Sequence, residues 1–287
     1  MQTLAAQELT LKPECIEITF KKMKIKTILT LILFVFNLIT WSQTIIDSSK
    51  VIKVLSFNIL HGATTKGNFD LDAIAKVIID VDPDFVALQE VDYKTKRAHN
   101  YDLVTELGWR SKMASIYARA MHYDGGEYGE GILSKHTFLQ TRNVALPFTQ
   151  GSEPRAALEI ITVLPSKDTI AFVGTHLDHL DNETNRIMQA RQLNKVFSSN
   201  PYPTILAGDL NAEPKSDTMN ILEEIWVGSY DKKNPQPTFP SNNPSIKIDY
   251  VLFYPEHRWK VLKTEVIQDS IASDHCAYLV TLQLLDE

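Results

Sequence analysis

Apolar, β-branched runs that stop at a polar side chain recur along the chain from residue 51 onward. Runs of this length and composition are typical of buried strands. Six such runs are VIKVLSFN, FVALQE, IAFVGTH, TILAGD, IKID and IASDH, and they end at Asn58, Glu90, His176, Asp209, Asp249 and the pair Asp274 and His275. One polar residue at a strand end is commonly a turn former or a helix cap. Polar residues at six strand ends indicate a shared functional site.

Helical periodicity occurs between several of these strands. The pattern predicts an amphipathic helix over residues 71–81, which Pro83 ends. Its apolar face consists of Leu71, Ile74, Ala75, Ile78 and Ile79. Two further helices are predicted over residues 184–197 and 216–226, and Ser216 is the expected N-cap of the second.

Elsewhere one strand follows another without a helix. RAALEIITV and TIAFVGTH are separated only by LPSKD, which predicts an antiparallel hairpin. A chain that combines hairpins with helical crossovers favours two mixed β-sheets that pack together and are flanked by helices. The same pattern disfavours a single, purely parallel, doubly wound sheet.

The first 42 residues have a different character from the rest. Lys24 and Lys26 precede an apolar run over residues 28–39, and the small residues Thr40 and Ser42 follow it. This order is typical of a secretory signal peptide, with cleavage near Ser42. The run is shorter than the roughly 20 residues that a membrane-spanning helix requires. An uncleaved membrane anchor is the alternative interpretation.

Three segments follow from this interpretation. Residues 1–22 are an upstream extension of the reading frame, residues 23–42 are the signal peptide, and residues 43–287 form one mature domain. The mature protein is expected to be periplasmic or extracellular, without a stable membrane span, and monomeric. Because Cys15 precedes the cleavage point, Cys276 is alone in the mature chain, and its apolar surroundings predict a small buried side chain.

The mature chain is acidic, with 24 Lys and Arg against 32 Asp and Glu, a net charge of −8. Non-specific binding to nucleic acid depends on Lys and Arg that neutralise phosphates, and no basic run supplies them here. Binding to a bulk polyanion is therefore disfavoured, although a locally positive cleft is compatible with this composition.

The polar strand ends offer a particular chemistry. Residues at one edge of a sheet converge on one crevice, and their carboxylate and amide oxygens suit Mg²⁺ or Mn²⁺. Zinc would require cysteine or a close histidine pair, and His176 and His179 would point to opposite faces of a strand. The chain has no P-loop and no Gly-x-Ser-x-Gly motif. With nucleotide-driven kinases and serine hydrolases disfavoured, metal-assisted hydrolysis of a phosphate ester is the reaction that these residues favour.

Eight motifs carry a resemblance to a known family: SFNIL, LQEVD, EPRAAL, THLDH, GDLNAEP, TFP, IDYVL and SDH. Their order resembles the endonuclease/exonuclease/phosphatase superfamily, which includes deoxyribonuclease I, exonuclease III, inositol polyphosphate 5-phosphatases and bacterial sphingomyelinases. The resemblance extends from about Val51 to Leu284, and GDLNAEP followed by SDH is its most specific part. It implies a four-layer α/β sandwich, with two mixed β-sheets packed face to face and flanked by helices.

The resemblance also implies a metal site. Glu90 corresponds to the main metal-ligating carboxylate, with Asn58 beside it, and Asp274 corresponds to a second carboxylate near the metal. The implied ion is Mg²⁺ or Mn²⁺.

Catalytic roles follow from the same resemblance. Asp209 would orient or deprotonate the attacking water, and Asn211 would hold that water or a phosphate oxygen. His275 would contact the scissile phosphate, while Asp249 fixes its tautomer. His176 would stabilise the transition state or assist the leaving oxygen; the simpler interpretation of His176 is a core histidine with satisfied hydrogen bonds.

Arg155 is the candidate substrate-binding residue, because a guanidinium can bind a phosphate at two points. The alternative is a structural ion pair with Glu153 or Glu159. Arg97 and Tyr128 are expected to be solvated loop residues.

The leading hypothesis is an exported, metal-dependent phosphoesterase, most naturally a phosphodiesterase, that acts on a small or lipid-linked phosphate ester. A secreted nuclease is the first alternative. The net charge argues against it, as does the absence of a basic or aromatic insertion between Glu90 and the GILS segment. Glu130 would also repel a polyanion if it faced the cleft. A catalytically inactive binding module and a structural surface protein are the remaining alternatives.

Overall fold

A computed structural model describes residues 47–286, and the predicted extension and signal peptide lie outside this range. One sheet contains β1 Val51–Asn58, β2 Phe85–Tyr93, β3 Ala114–Tyr123, β4 Gly126–Ser134, β11 Trp259–Ile267 and β12 Ala277–Leu284. The other contains β5 Phe138–Leu146, β6 Arg155–Val163, β7 Thr169–His176, β8 Thr204–Asp209, β9 Val227–Gly228 and β10 Asp249–Tyr254. The α-helices are α1 Leu71–Val81, α2 Leu103–Ser111, α3 Thr184–Phe197 and α4 Asp217–Leu222, and short 3₁₀ turns occur at Ser48–Lys50, Leu60–Gly62 and Glu256–Arg258.

Both sheets are mixed and have six strands. Their orders are β11-β12-β1-β2-β4-β3 and β5-β6-β7-β8-β10-β9. Each has one parallel pair, β1 with β2 and β7 with β8, and its other neighbours are antiparallel. A parallel pair needs a crossover connection, and the predicted helices α1 and α3 supply it. The prediction of two mixed sheets is confirmed.

Two buried cores hold the layers together. The inner faces of the sheets meet in one core, where the rings of Phe85 and Phe172 lie 5.2 Å apart, and residues from α3 and α4 belong to the same cluster. The second core joins the first sheet to α1 and α2 through residues such as Leu55, Ile74 and Leu107. These contacts produce the expected four-layer α/β sandwich.

The predicted helices agree with the structure except at two points. Ile79 is 52% exposed, and Val77 is buried in its place. The last predicted helix ends at Leu222 instead of residue 226, because Trp226 enters the core and donates a hydrogen bond from Nε1 to Asn194 Oδ1 at 3.0 Å. Ser216 is the expected N-cap and accepts a hydrogen bond from the backbone N of Met219.

Other predictions are also confirmed. The strands β6 and β7 form the predicted antiparallel hairpin, and Cys276 is a buried free cysteine. Within the residues that the structure describes, none of the helices is long and apolar enough to cross a membrane.

Candidate active site

Strand register brings the polar residues of the second sheet together. Asp209 ends β8, where it pairs with His176 at the end of the parallel strand β7 and with Asp249 on β10. Because β10 is antiparallel to β8, Asp249 lies at the beginning of its strand rather than at the end. The three side chains therefore share one edge of the sheet.

Two of the predicted strand ends are thus wrong in detail. IKID does not form a strand that ends at Asp249, and Asp274 and His275 lie in a loop that precedes β12. Since β12 is antiparallel to β1, its beginning lies at the edge where β1 ends with Asn58. These polar residues nevertheless lie at the same edge as the other strand ends, because antiparallel strands begin where their neighbours end.

Glu90 lies at an irregularity of β2 instead of at its end. The strand continues to Tyr93, its register with β4 shifts between Leu88 and Val91, and Glu90 has a left-handed backbone with φ 56°. A shift of this kind is a β-bulge, which re-aims a side chain. Glu90 consequently lines the cavity at the sheet edge.

Local hydrogen bonds keep Glu90 ionised. Its Oε1 accepts a hydrogen bond from Asn58 Nδ2 at 3.2 Å, and its Oε2 lies 3.3 Å from His61 Nδ1. Burial disfavours the carboxylate form, but the hydrogen bonds from His61 and Asn58 and the charge of His176 outweigh burial and lower the pKa of Glu90 to about 2. The sequence did not lead us to predict His61 at this site. Its position three residues after Asn58 is the feature that could have indicated it.

Asn58 connects two carboxylates. Its Nδ2 also donates to Asp209 Oδ2 at 3.2 Å, while its Oδ1 accepts from the backbone N of Leu60 at 3.1 Å. In this arrangement Asn58 positions Glu90 and Asp209 as a donor, and its role as a metal ligand stays a prediction.

The donor set around Glu90 and Asp274 fits a hard divalent cation. Both residues line the same cavity. Burial raises the pKa of Asp274, the charge of Glu90 raises it further, and His275 acts in the opposite direction. Among residues 47–286, Asp274 forms no ion pair with a basic side chain. The nearby charge of His275 is the positive charge that influences its pKa. Two carboxylates that repel each other in one cavity are the oxygen ligands that Mg²⁺ or Mn²⁺ binds.

Asp209 combines a structural and a chemical role. Its Oδ1 accepts from the backbone N of Asn211 at 3.0 Å, which forms an Asx turn. Its Oδ2 lies 3.3 Å from His176 Nε2 and 3.6 Å from His275 Nε2. Although burial opposes ionisation, the charges of His275 and His176 lower the pKa of Asp209. Asp209 is therefore a carboxylate at neutral pH.

His275 lies between two carboxylates. Its Nδ1 is 3.1 and 3.2 Å from the two oxygens of Asp249. Burial favours the neutral ring, but Asp249 and Asp209 outweigh it and raise the pKa of His275 to about 10. The ligand atoms of Asp209, Asp249 and His275 lie within 4.8 Å of one another, so this group could also hold a cation. The imidazolium already supplies positive charge at this group, whereas Glu90 and Asp274 are the ligands that the family resemblance implies.

Arg155 also lines the site and is 2% exposed. Its Nη1 lies 3.3 Å from Tyr128 Oη and 3.2 Å from His176 Nδ1. Its Nη2 lies 3.2 Å from His179 Nδ1 and 2.9 Å from Glu153 Oε2. His176 thus contacts Arg155 through Nδ1, whereas its Nε2 lies 3.3 Å from Asp209 Oδ2 and 3.0 Å from Asn211 Nδ2.

The structure shows the ion pair of Arg155, while its role in substrate binding stays a prediction. It forms the ion pair with Glu153, and it also lines the cavity. Glu159, the other partner considered, pairs with Arg142 at 2.8 Å instead.

The expectation that His176 and His179 point apart is wrong. Strand β7 ends at His176, so His179 does not follow strand alternation. Both rings contact the Arg155 guanidinium.

Glu130 does not face the cleft. It is fully buried, and neither carboxyl oxygen has a hydrogen-bond partner in the described part of the chain. Burial raises its pKa well above the usual value, and Asp209 and Glu90 raise it further, whereas Arg155 lowers it. Burial therefore favours the neutral form of Glu130, and because Glu130 does not line the cavity, it gives no reason to expect repulsion of a polyanion there.

A cavity of about 320 Å³ joins these groups. Glu90, Arg155, His176, Asp209, Asn211, Asp274 and His275 line it, whereas Asn58 and Asp249 support it from behind. Arg97 and Tyr128 also line it, so the expectation of solvated loop residues was wrong. Sequence reasoning did not single out Met121, Tyr123, Glu153 or Phe239 as lining residues.

The model of the Endonuclease/Exonuclease/phosphatase family matches residues 55–275. The chain belongs to this family. The match contains every residue of the candidate site and most of both sheets, so the family resemblance of the motifs is confirmed.

Solved structures with the same fold include proteins of different function. A conserved protein of unknown function from Enterococcus faecalis has 22% identity and a TM-score of 0.68 over 82% of this chain and 100% of its own. A mannosyl-6-phosphatase of Bacteroides thetaiotaomicron has 18% identity and a TM-score of 0.65, over 80% of this chain and 99% of its own. The catalytic domain of human Nocturnin has 19% identity and a TM-score of 0.65, over 84% and 96%. At these identities the likeness shows the fold alone.

Proposed function

We propose that this protein is an exported, divalent-metal-dependent phosphoesterase that acts as a phosphodiesterase on a small or lipid-linked phosphate ester. One observation carries the proposal: the carboxylates Glu90, Asp209 and Asp274, the imidazolium of His275 and the guanidinium of Arg155 line a single cavity. An anionic phosphate needs positive groups on one side, and water attack needs an oriented acceptor on the other.

The proposed metal ligands are Glu90 and Asp274, with Asn58 as the additional candidate from sequence. When bound, Mg²⁺ or Mn²⁺ supplies positive charge to the phosphate oxygens as charge develops on them.

Asp209 is proposed to orient the attacking water through Oδ2, with Asn211 beside it. Its lowered pKa makes it a weak proton acceptor, which favours orientation over full deprotonation. His176 links this carboxylate to Arg155 through its two ring nitrogens. We therefore assign His176 to positioning both groups, while its direct role in the transition state stays a prediction.

His275 is proposed to donate a hydrogen bond from Nε2 to a phosphate oxygen. Its raised pKa keeps the ring protonated at neutral pH, and Asp249 fixes its orientation. Arg155 is proposed to bind the same phosphate, which would take the place of the Glu153 carboxylate at Nη2.

A secreted nuclease is the alternative. The net charge of the mature chain still argues against it, but Glu130 no longer does. A small substrate agrees better with a cavity of about 320 Å³. Because a structure of the same fold belongs to a mannosyl-6-phosphatase, a phosphate monoester is compared with the diester in the test.

The decisive experiment is hydrolysis of bis(p-nitrophenyl) phosphate and p-nitrophenyl phosphate by residues 43–287, with Mg²⁺, Mn²⁺ or EDTA. Plasmid DNA and RNA are tested in parallel. We expect EDTA-sensitive release of nitrophenol, faster from the diester. Activity confined to nucleic acid would favour the nuclease, and activity on nothing tested would favour the binding module.

A further inference from the structure

The cavity contains a second guanidinium that the proposed chemistry does not use. Arg97 follows β2 and lines the same cavity as Arg155. Its backbone N donates to Asp124 Oδ2 at 2.8 Å, which attaches this loop to the turn between β3 and β4. Arg97 is thus held at the cavity by two separate parts of the first sheet.

The Arg97 side chain is held in one orientation. Its Nε and Nη2 bind the two oxygens of Asp92 at 2.7 and 2.9 Å, and Asp92 is fully buried. One face of the guanidinium lies against Tyr123, with Cζ 4.5 Å from the ring centre. A guanidinium fixed in this way loses little conformational entropy when it binds a ligand.

One edge of Arg97 remains open to a ligand. A guanidinium has five N–H groups, and Asp92 uses one on Nε and one on Nη2. Among residues 47–286, Nη1 has no hydrogen-bond partner. Two parallel N–H groups on such an edge match the oxygens of a carboxylate or a phosphate.

The Tyr128 ring lies close to both guanidinium groups. Its ring centre is 5.7 Å from Arg97 Cζ and 5.9 Å from Arg155 Cζ. The distance between the two Cζ atoms therefore cannot exceed the sum of these two distances. One small molecule with two anionic groups can reach both.

We propose that Arg97 binds a second anionic group of the substrate, a carboxylate or a phosphate, while the scissile phosphate lies against Arg155 and His275. This inference rests on the proposed function and narrows its substrate class to phosphate esters that carry a second oxyanion. Because Asp92 offsets part of the charge of Arg97, recognition comes from directed N–H groups rather than from net charge.

The test uses alkylphosphonates as competitive inhibitors of bis(p-nitrophenyl) phosphate hydrolysis. One series has a terminal carboxylate on a graded set of methylene tethers, a second has a terminal phosphonate, and a third has a terminal amide as the neutral control. For the wild type we expect the terminal oxyanion to lower the inhibition constant about tenfold relative to the amide, with an optimum tether length. The first two series distinguish a carboxylate from a phosphate site.

Arg97→Met should abolish this preference, and Arg97→Lys should weaken it, because lysine keeps the charge but loses the two-point geometry. Lys96→Met is the matched control, since Lys96 is an exposed neighbouring cation outside the cavity, and the preference should persist. If the oxyanion gives no advantage in the wild type, or if the advantage survives in Arg97→Met, the assignment is wrong. If Arg97→Met fails to fold, the assignment is tested by Arg97→Lys and by the tether length in the wild type. An unchanged preference in Arg97→Lys together with the lack of an optimum tether length would then contradict it.

Failure of the proposed function would be a separate result. If the wild type hydrolyses no phosphate ester, phosphonate binding is measured by thermal unfolding, because a ligand of the folded state raises its stability. Stabilisation by the terminal carboxylate or phosphonate over the amide would support the second-anion site without turnover. Equal stabilisation would overturn it.

Discussion

At the scale of single residues, the site depends on carboxylates whose environments differ. Glu90 and Asp209 are both ionised in spite of burial, because hydrogen bonds and histidine charges surround them. Glu130 is fully buried and its carboxyl oxygens have no hydrogen-bond partner among residues 47–286, so burial raises its pKa well above the usual value. The protonation state of each acid is therefore set by its neighbours, in accordance with its position in the fold.

Asp209→Asn should lower kcat by about 100-fold or more, because the water loses its charged partner. The volume is kept, so circular dichroism and thermal unfolding should remain close to those of the wild type. Asp231→Asn, at an exposed loop position, is the matched control and should keep full activity. A normal rate in Asp209→Asn would exclude the proposed role in water orientation.

Glu90→Gln should raise the Mg²⁺ concentration that gives the half-maximal rate, because a neutral amide binds a hard cation less strongly than a carboxylate. The measurement is a metal titration of turnover for wild type and variant at equal protein concentration. Unchanged metal dependence would place the cation elsewhere, with the group of Asp209, Asp249 and His275 as the next candidate.

His275 should make stability depend on pH in the alkaline range. Its folded pKa is raised to about 10, so its contribution is fully present below the unfolded value near 6.5 and is lost as pH rises through about 10. Urea unfolding in EDTA should show that the stability difference between wild type and His275→Gln falls with rising pH, on the order of 1–3 kcal/mol. A difference that is constant from pH 6 to pH 10 would contradict the raised pKa.

At the scale of elements, close packing between strands controls the position of the candidate catalytic residues. Gly208 precedes Asp209 in β8, and an added Cβ would lie 2.0 Å from the Thr175 carbonyl oxygen of β7. This oxygen belongs to the backbone of β7, which cannot move aside as the end of a flexible side chain could. Glycine at this position therefore allows β7 and β8 to pair while His176 and Asp209 remain side by side.

Gly208→Ala should destabilise the protein by about 1–3 kcal/mol and lower activity, because the strands must separate next to the site. Gly174→Ala in β7 is the comparison, since its added Cβ would meet only side chains, at 3.3 Å or more. Urea unfolding and turnover should show the larger loss in Gly208→Ala. Similar losses in both variants would contradict a role for close backbone contact.

At the scale of the whole molecule, each sheet supplies part of the site. Asn58, Glu90, Asp274 and His275 belong to the first sheet or its loops, whereas Arg155, His176, Asp209 and Asp249 belong to the second. The cavity forms only when the two sheets pack face to face. Loss of the interface core should therefore remove activity together with the fold.

The export prediction also belongs to this scale. If residues 23–42 are a signal peptide, expression of the full reading frame in a bacterial host should yield a mature protein that begins near residue 43, outside the cytoplasm. Mass spectrometry of the fractionated protein measures this start directly. Recovery of an intact amino terminus in the membrane fraction would favour the uncleaved anchor.

Much of the fold could be predicted because local signals are strong where strands are buried. The bounds of β1, β8, α1 and α3 agree with the apolar patterns, since each pattern reflects burial of one face or of a whole strand. The helix Leu103–Ser111 was not predicted. Its apolar residues Leu103, Val104 and Leu107 are few and interrupted by polar positions, so the periodicity is short.

The sequence by itself determined the alternation of buried strands and helical crossovers, the family, and the residues able to carry metal-assisted chemistry. These properties depend on residue type and local spacing, which are visible along the chain. Only the tertiary structure decided which polar groups share the cavity. Arg97, His61 and His179 line it, while Glu130 is buried outside it. Such placement depends on a β-bulge, on strand register and on where β7 ends, and these arise from contacts between segments that are distant in sequence.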